Sequence, residues 1–224
     1  MYSTNLERIS LDEFQEILST VELLPSRKFL LNGLSNLIEK LKQKGIVHAA
    51  ALQKLLKNKK RYPELADELS VSPDYLTVLG REINSYESKP VPLSKLDVFS
   101  DTELKLLEME GLKSTKDLYE RGLTPSDRKA MAEELTISQD KIVTALELSD
   151  LLRITGVGPV YAKILKEMGI NNASSFLEID SQEAVEGYKR INAAKGYSKV
   201  NLSIKDIEYV KRFCQKLDSD IQWN

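Results

Sequence analysis

Gly156 and Gly158 flank one apolar residue, Val157, and Pro159 follows at once. That spacing suits one kind of chemistry, the holding of an anion. Glycine takes positive φ without penalty and lets another backbone come close. Proline fits the first position of a helix, where its missing N–H costs no hydrogen bond. The amides of the turn and of the first helical turn then converge beside the positive end of the helix dipole. A phosphate is the natural occupant of such a place. The candidate contact residues are Thr155, Gly156, Val157 and Gly158, with Lys163 and Lys166 further along the helix adding attraction. A second reading stands beside this one: the glycines make the tightest turn between two packed helices, and the lysines are solvated.

Other chemistry is missing. The sequence has no glycine-rich loop ending in Lys-Ser or Lys-Thr and no Ser/His/Asp set. His48 is the only histidine, so a histidine metal cluster is ruled out, and Cys214 is the only cysteine, so no internal disulfide forms. Glu133 and Glu134 are adjacent, and on a helix adjacent side chains point about 100° apart. The expectation is a protein that is not an enzyme and uses no cofactor and no metal. Tyr161 and Tyr188 are candidates for stacking on bases, or for packing.

The elements around the glycines read as two helices. Leu151, Leu152 and Ile154 close the first, and Ala162, Leu165 and Met168 give the second one apolar face at helical spacing. Gly169 stops it. With Ile154, Thr155, the run Gly156-Val157-Gly158-Pro159, then Ala162 and Leu165, this stretch of about twenty residues resembles the helix-hairpin-helix family. The resemblance implies a hairpin whose amides hold a nucleic-acid phosphate without reading sequence. Val160 departs from the family's frequent Lys or Arg after the proline.

Apolar spacing is helical throughout, and no run alternates with period two, so the expected fold is all-α. Serines recur as helix starts in Ile9-Ser10, Val71-Ser72, Ile137-Ser138 and Leu202-Ser203, each with an apolar residue four positions after the serine. Glycines recur as stops: Gly45-Ile46 with Ala49 and Leu52, Gly111-Leu112 with Thr115 and Leu118, and Gly169-Ile170 with Ala173 and Phe176. Leu65-Ala66-Asp67-Glu68-Leu69 echoes Met131-Ala132-Glu133-Glu134-Leu135. Repeats in a common register predict three tandem, divergent helix-hairpin-helix units, over 1–70, 71–136 and 137–224, the last including a closing helix from Ser203. Only the third keeps the glycines. The first unit's turn is expected near Leu24-Pro25-Ser26-Arg27-Lys28, and the second near Val98-Phe99-Ser100-Asp101. The tail from Asp218 is expected to be loosely held. As a whole, this array of degenerate units is similar to a bacterial family of unassigned function.

The 224 residues carry a net charge of −2, which argues against a general nucleic-acid coat and leaves room for local patches. No acid lies between Lys40 and Arg61, and Lys189–Lys216 is also basic, while the middle is acidic. No apolar run reaches membrane-spanning length, and the first residues lack the order of a secretory leader, so a cytoplasmic protein without membrane contact is expected. The leading functional expectation is sequence-independent DNA binding, duplex or single-stranded, through the third hairpin. The rival is a helical scaffold that binds a protein partner.

Overall fold

The computed structural model describes residues 1–223. The fold is all-α: among the described residues there is no strand, and the only extended pairings are two isolated bridges, Ser10 with His48 and Pro92 with Ser114. Contacts divide the chain into two compact units.

The unit Asn5–Glu87 holds α1 (Leu11–Thr20), α2 (Leu34–Gln43), α3 (Ala49–Leu56), α4 (Tyr62–Leu69) and α5 (Pro73–Asn84), with short 3-10 segments at Leu6–Arg8, Pro25–Leu31 and Lys59–Arg61. The other unit combines Met1–Thr4 with the chain from Ser88 on. It holds α6 (Asp101–Met109), α7 (Thr115–Arg121), α8 (Pro125–Leu135), α9 (Gln139–Leu152), α10 (Pro159–Glu167), α11 (Ala173–Glu178), α12 (Ser181–Lys195) and α13 (Ile204–Cys214).

The repeat read from the sequence starts a new unit at residue 71, but the packing divides the chain at Glu87. The reason lies in α5. Its buried residues Tyr75, Leu76, Leu79 and Ile83 pack with α3 and α4, so the helix capped by Ser72 completes the helices before it.

The glycine stops share one geometry. Gly45, Gly111 and Gly169 have φ of +78°, +79° and +82°. In each case the next amide reaches back to the helix: Ile46 to Leu41 at 3.0 Å, Leu112 to Leu107 at 2.9 Å and Ile170 to Leu165 at 2.9 Å. This is the 6→1 bond of a Schellman ending, and it explains why a leucine recurs four residues before each glycine. The echo between Leu65–Leu69 and Met131–Leu135 has the same cause. Each run ends in a left-handed residue, Ser70 or Thr136, both at φ +55°. The following amide, of Val71 or Ile137, bonds back to Ala66 or Ala132 at 3.0 Å.

Three of the four serine starts are capped as expected. The hydroxyls of Ser10, Ser72 and Ser203 accept from the amides of Glu13, Tyr75 and Asp206. Ser138 differs: its carbonyl takes the amides of Lys141 and Ile142, and its hydroxyl makes no cap.

Two placements are corrected. The stretch from Pro25 forms a 3-10 segment, and α2 begins later, after Gly33 at φ +73°. Arg27, in that stretch, pairs with buried Glu82 at 2.5 Å. The tail is docked and not loose. The Gln222 amide donates to Leu123 O at 2.9 Å, Arg128 donates to Gln222 O at 2.8 Å, and Ile221 and Trp223 pack on Tyr2, Tyr119 and Leu146. Asn224 lies outside the described residues.

Candidate functional site

The hairpin joins α9 to α10. The Ile154 amide donates to Leu151 O and the Val157 amide to Ile154 O at 3.0 Å, which folds the chain back within a few residues. The two glycines serve different ends. Gly156 sits at φ +94°, and a Cβ there would lie 3.0 Å from Val210 Cγ2, so its conformation favours glycine and its neighbour leaves little room for a side chain. Gly158 is extended (φ −95°, ψ 173°), and a Cβ there would meet nothing within 4 Å. Its carbonyl accepts the Ala162 amide at 2.9 Å, which makes it the N-cap of α10, but it has no side chain with which to cap.

The amides of Gly156, Gly158, Val160 and Tyr161 therefore find no acceptor among the described residues. Gly156, Gly158, Pro159 and Val160 are exposed. Free N–H groups and the helix dipole thus face solvent together. The corresponding start of α6 is closed: Ser100 Oγ takes the Glu103 amide, and the Glu103 carboxylate takes the Ser100 amide at 2.7 Å. Lys141 adds to this at 2.8 Å, and its hydrogen bond, with those of Ser100, holds the Glu103 carboxyl down at about 2. A negative charge already occupies that helix end. The start of α2, at Gly33, also lacks a side-chain cap, without a second glycine beside it.

The remaining predicted contact residues divide. Val157 is buried in the core. Thr155 is 5% exposed, and its hydroxyl lies 2.9 Å from that of Thr4. Lys166 is turned away from the hairpin, donating to Glu147 at 2.5 Å and to Asn171 at 2.8 Å. Lys163 is exposed, with Nζ 5.1 Å from the Tyr197 ring centroid and 3.9 Å from Asp97. Of the predicted contact residues, Gly156, Gly158 and Lys163 are exposed. Tyr161 and Tyr188 meet edge to face at 5.7 Å, and Tyr161 meets Phe176 in the same way. Burial raises the Tyr161 hydroxyl far above its ordinary value. Tyr188 is buried and Tyr161 half-buried, so both rings serve packing.

Sequence reading missed the support beneath the hairpin. Arg153, 1% exposed, donates to Asp150 at 3.1 Å, to the Tyr119 hydroxyl, and to Asp218 O at 2.5 Å. Its guanidinium carbon lies 4.3 Å from the centroid of the Tyr119 ring. Its own carbonyl accepts from Ser88 Oγ at 2.6 Å. Burial raises the Asp150 carboxyl, and the Arg153 charge and the Ala173 amide oppose that rise. The available signal was an Asp and an Arg three apart on a helix end whose other residues are Leu148, Ser149, Leu151, Leu152 and Ile154. The pair fixes the end of α9, and so the point from which the hairpin springs.

Among the described residues no group of histidine, cysteine or carboxylates is placed to hold a metal, and no helix is long and apolar enough to cross a membrane. A family model described as "Domain of unknown function (DUF4332)" matches residues 97–217, over half of the 224-residue chain. No curated protein and no solved structure matches the chain.

Proposed function

The chain belongs to the DUF4332 domain family, and from the geometry of its hairpin we propose that it is a non-catalytic nucleic-acid-binding protein. In this reading the α9–α10 turn is a helix-hairpin-helix element. A DNA phosphate sits against the amides of Gly156, Gly158, Val160 and Tyr161, and Lys163 supplies attraction from one turn away. The observation that carries it is the open start of α10: four amides without acceptors, two exposed glycines and no capping side chain. A turn that serves packing alone gains from a Ser or Asp cap there, as α6 has. Contacts from amides to phosphates position a protein without reading bases, so affinity is independent of sequence.

A titration with two unrelated duplexes and a single strand, from low to moderate salt, tests this. The expected result is equal affinity for the duplexes and a shallow loss with salt, with a slope of about −0.9 for each phosphate neutralised. Absence of binding at low salt contradicts it.

One observation favours a second reading, a scaffold for a protein partner. Val160, in the first turn of α10, is 48% exposed, and an apolar side chain there suits a protein surface better than a phosphate.

A further inference from the structure

We propose that the Asn5–Glu87 unit carries a second nucleic-acid contact, independent of the hairpin, at the turn between α3 and α4. Its residues are Lys54, Lys57, Lys59, Lys60 and Arg61, all exposed. The basic run noted in the sequence divides here into two kinds of lysine. Lys42 pairs with Asp12, Lys44 with Glu68 at 2.7 Å, and Lys40 donates to Ser70 Oγ at 2.7 Å and to Leu69 O at 3.3 Å. Those three are neutralised or used within the unit. The ammonium groups of Lys54, Lys57, Lys59 and Lys60 find no hydrogen-bond or ion-pair partner among the described residues, and Arg61 lies 4.0 Å from exposed Glu64 and interacts with the Glu68 charge.

Helix capping does not account for the cluster. Lysines at the end of α3 would ordinarily be read as complements to its dipole. Here the Leu56 carbonyl near that end is taken by the Tyr62 hydroxyl at 2.8 Å, and no ammonium group of the four lysines donates to a carbonyl among the described residues. The backbone that carries them is fixed. Asn58 Oδ1 accepts the Lys60 amide, the Arg61 amide donates to Asn58 O at 3.1 Å, and Tyr62 is buried beneath. Five like charges within the eight residues from Lys54 to Arg61 repel one another and are relieved by a polyanion.

The chemistry points to a phosphate backbone over a lipid surface. Leu56 is 5% exposed and Tyr62 5%, and no large apolar side chain between Lys54 and Tyr62 is exposed. The turn therefore offers nothing to insert among acyl chains, which peripheral membrane binding uses alongside charge.

The test is Lys57→Gln/Lys59→Gln/Lys60→Gln in the full chain, with retained fold checked by circular dichroism. It is compared with the wild type and with Gly158→Asp, by anisotropy of a labelled duplex over a salt series. The triple variant is expected to bind more weakly, with a log–log salt slope shallower by roughly 2 to 3. The same change is expected when it is made on top of Gly158→Asp. Loss in Gly158→Asp alone therefore reports on the hairpin, and loss in the triple alone reports on this turn. An affinity and slope equal to the wild type would overturn the proposal, as would lysine-dependent binding to phosphatidylserine vesicles with no lysine effect on the duplex.

Discussion

Asp150 Oδ2 accepts the Ala173 amide at 2.8 Å, and after the two earlier glycine stops the amide at the same spacing is taken by a backbone carbonyl. Ala49 and Thr115, each four residues after its stop glycine as Ala173 is, donate to Ile9 O and Val91 O at 2.8 Å. After the third glycine stop the Asp150 carboxylate takes that place, with Arg153 3.1 Å away in the interior. Asp150→Ala strands Arg153 in a dry site and is expected to cost about 3–5 kcal/mol. Asp150→Asn keeps an acceptor and is expected to lose less. Denaturant melts measure both, and a loss under about 0.5 kcal/mol for Asp150→Ala would show that the pair is not structural.

Ala162 is fully buried on α10, which packs on α9 and α12, as its place on the helix's apolar face implies. Ala162→Leu adds three carbons to a filled contact and is expected to destabilise by roughly 1–3 kcal/mol. An unchanged midpoint in a urea melt would mean that the two helices have room between them.

Glu103 carries the clearest acid response. Its carboxyl, held at about 2 first by Lys141 and then by Ser100, ordinarily titrates at 4.5. A folded value below the unfolded one gives stability that is present above about pH 4.5 and lost as pH falls towards 2. Comparing Glu103→Gln with the wild type across that window should show a smaller decline in the variant. Parallel curves would remove Glu103 from the account.

Cys214 is buried, with Sγ 3.3 Å from Ala173 O, and its thiol is pushed up to about 12 by burial and by the nearby Asp150 charge. Since the thiolate is the reactive form, a thiol-specific reagent at neutral pH should label the folded protein slowly and the denatured protein at once. Rapid labelling of the folded state would place the sulfur at the surface.

Much of this was legible in the sequence because local rules set it. The stops at Gly45, Gly111 and Gly169 and the caps at Ser10, Ser72 and Ser203 depend on bonds within a few residues. What was hidden depends on distant partners. Nothing local shows that Lys166 meets Glu147, that Arg27 meets Glu82 or that Arg153 reaches Asp218. The role of α5 was hidden for the same reason: Ser72 marks where a helix begins and carries no information about which helices it packs against. At the hairpin, the glycines and Pro159 were readable, while the inward turn of Thr155 and Val157 required the structure.

The most direct test of the phosphate role is Gly158→Asp. The site has ordinary φ and open space for a side chain. Aspartate there caps α10 and is expected to leave stability equal or higher by a few tenths of a kcal/mol. The same carboxylate takes the amides that would hold a phosphate and repels it. At low salt, with folding verified by a melt, the account predicts that duplex affinity attributable to the hairpin is lost, visible as clearly weaker binding than the wild type. Wild-type affinity in this stable variant would contradict it and leave the hairpin as a turn that packs two helices.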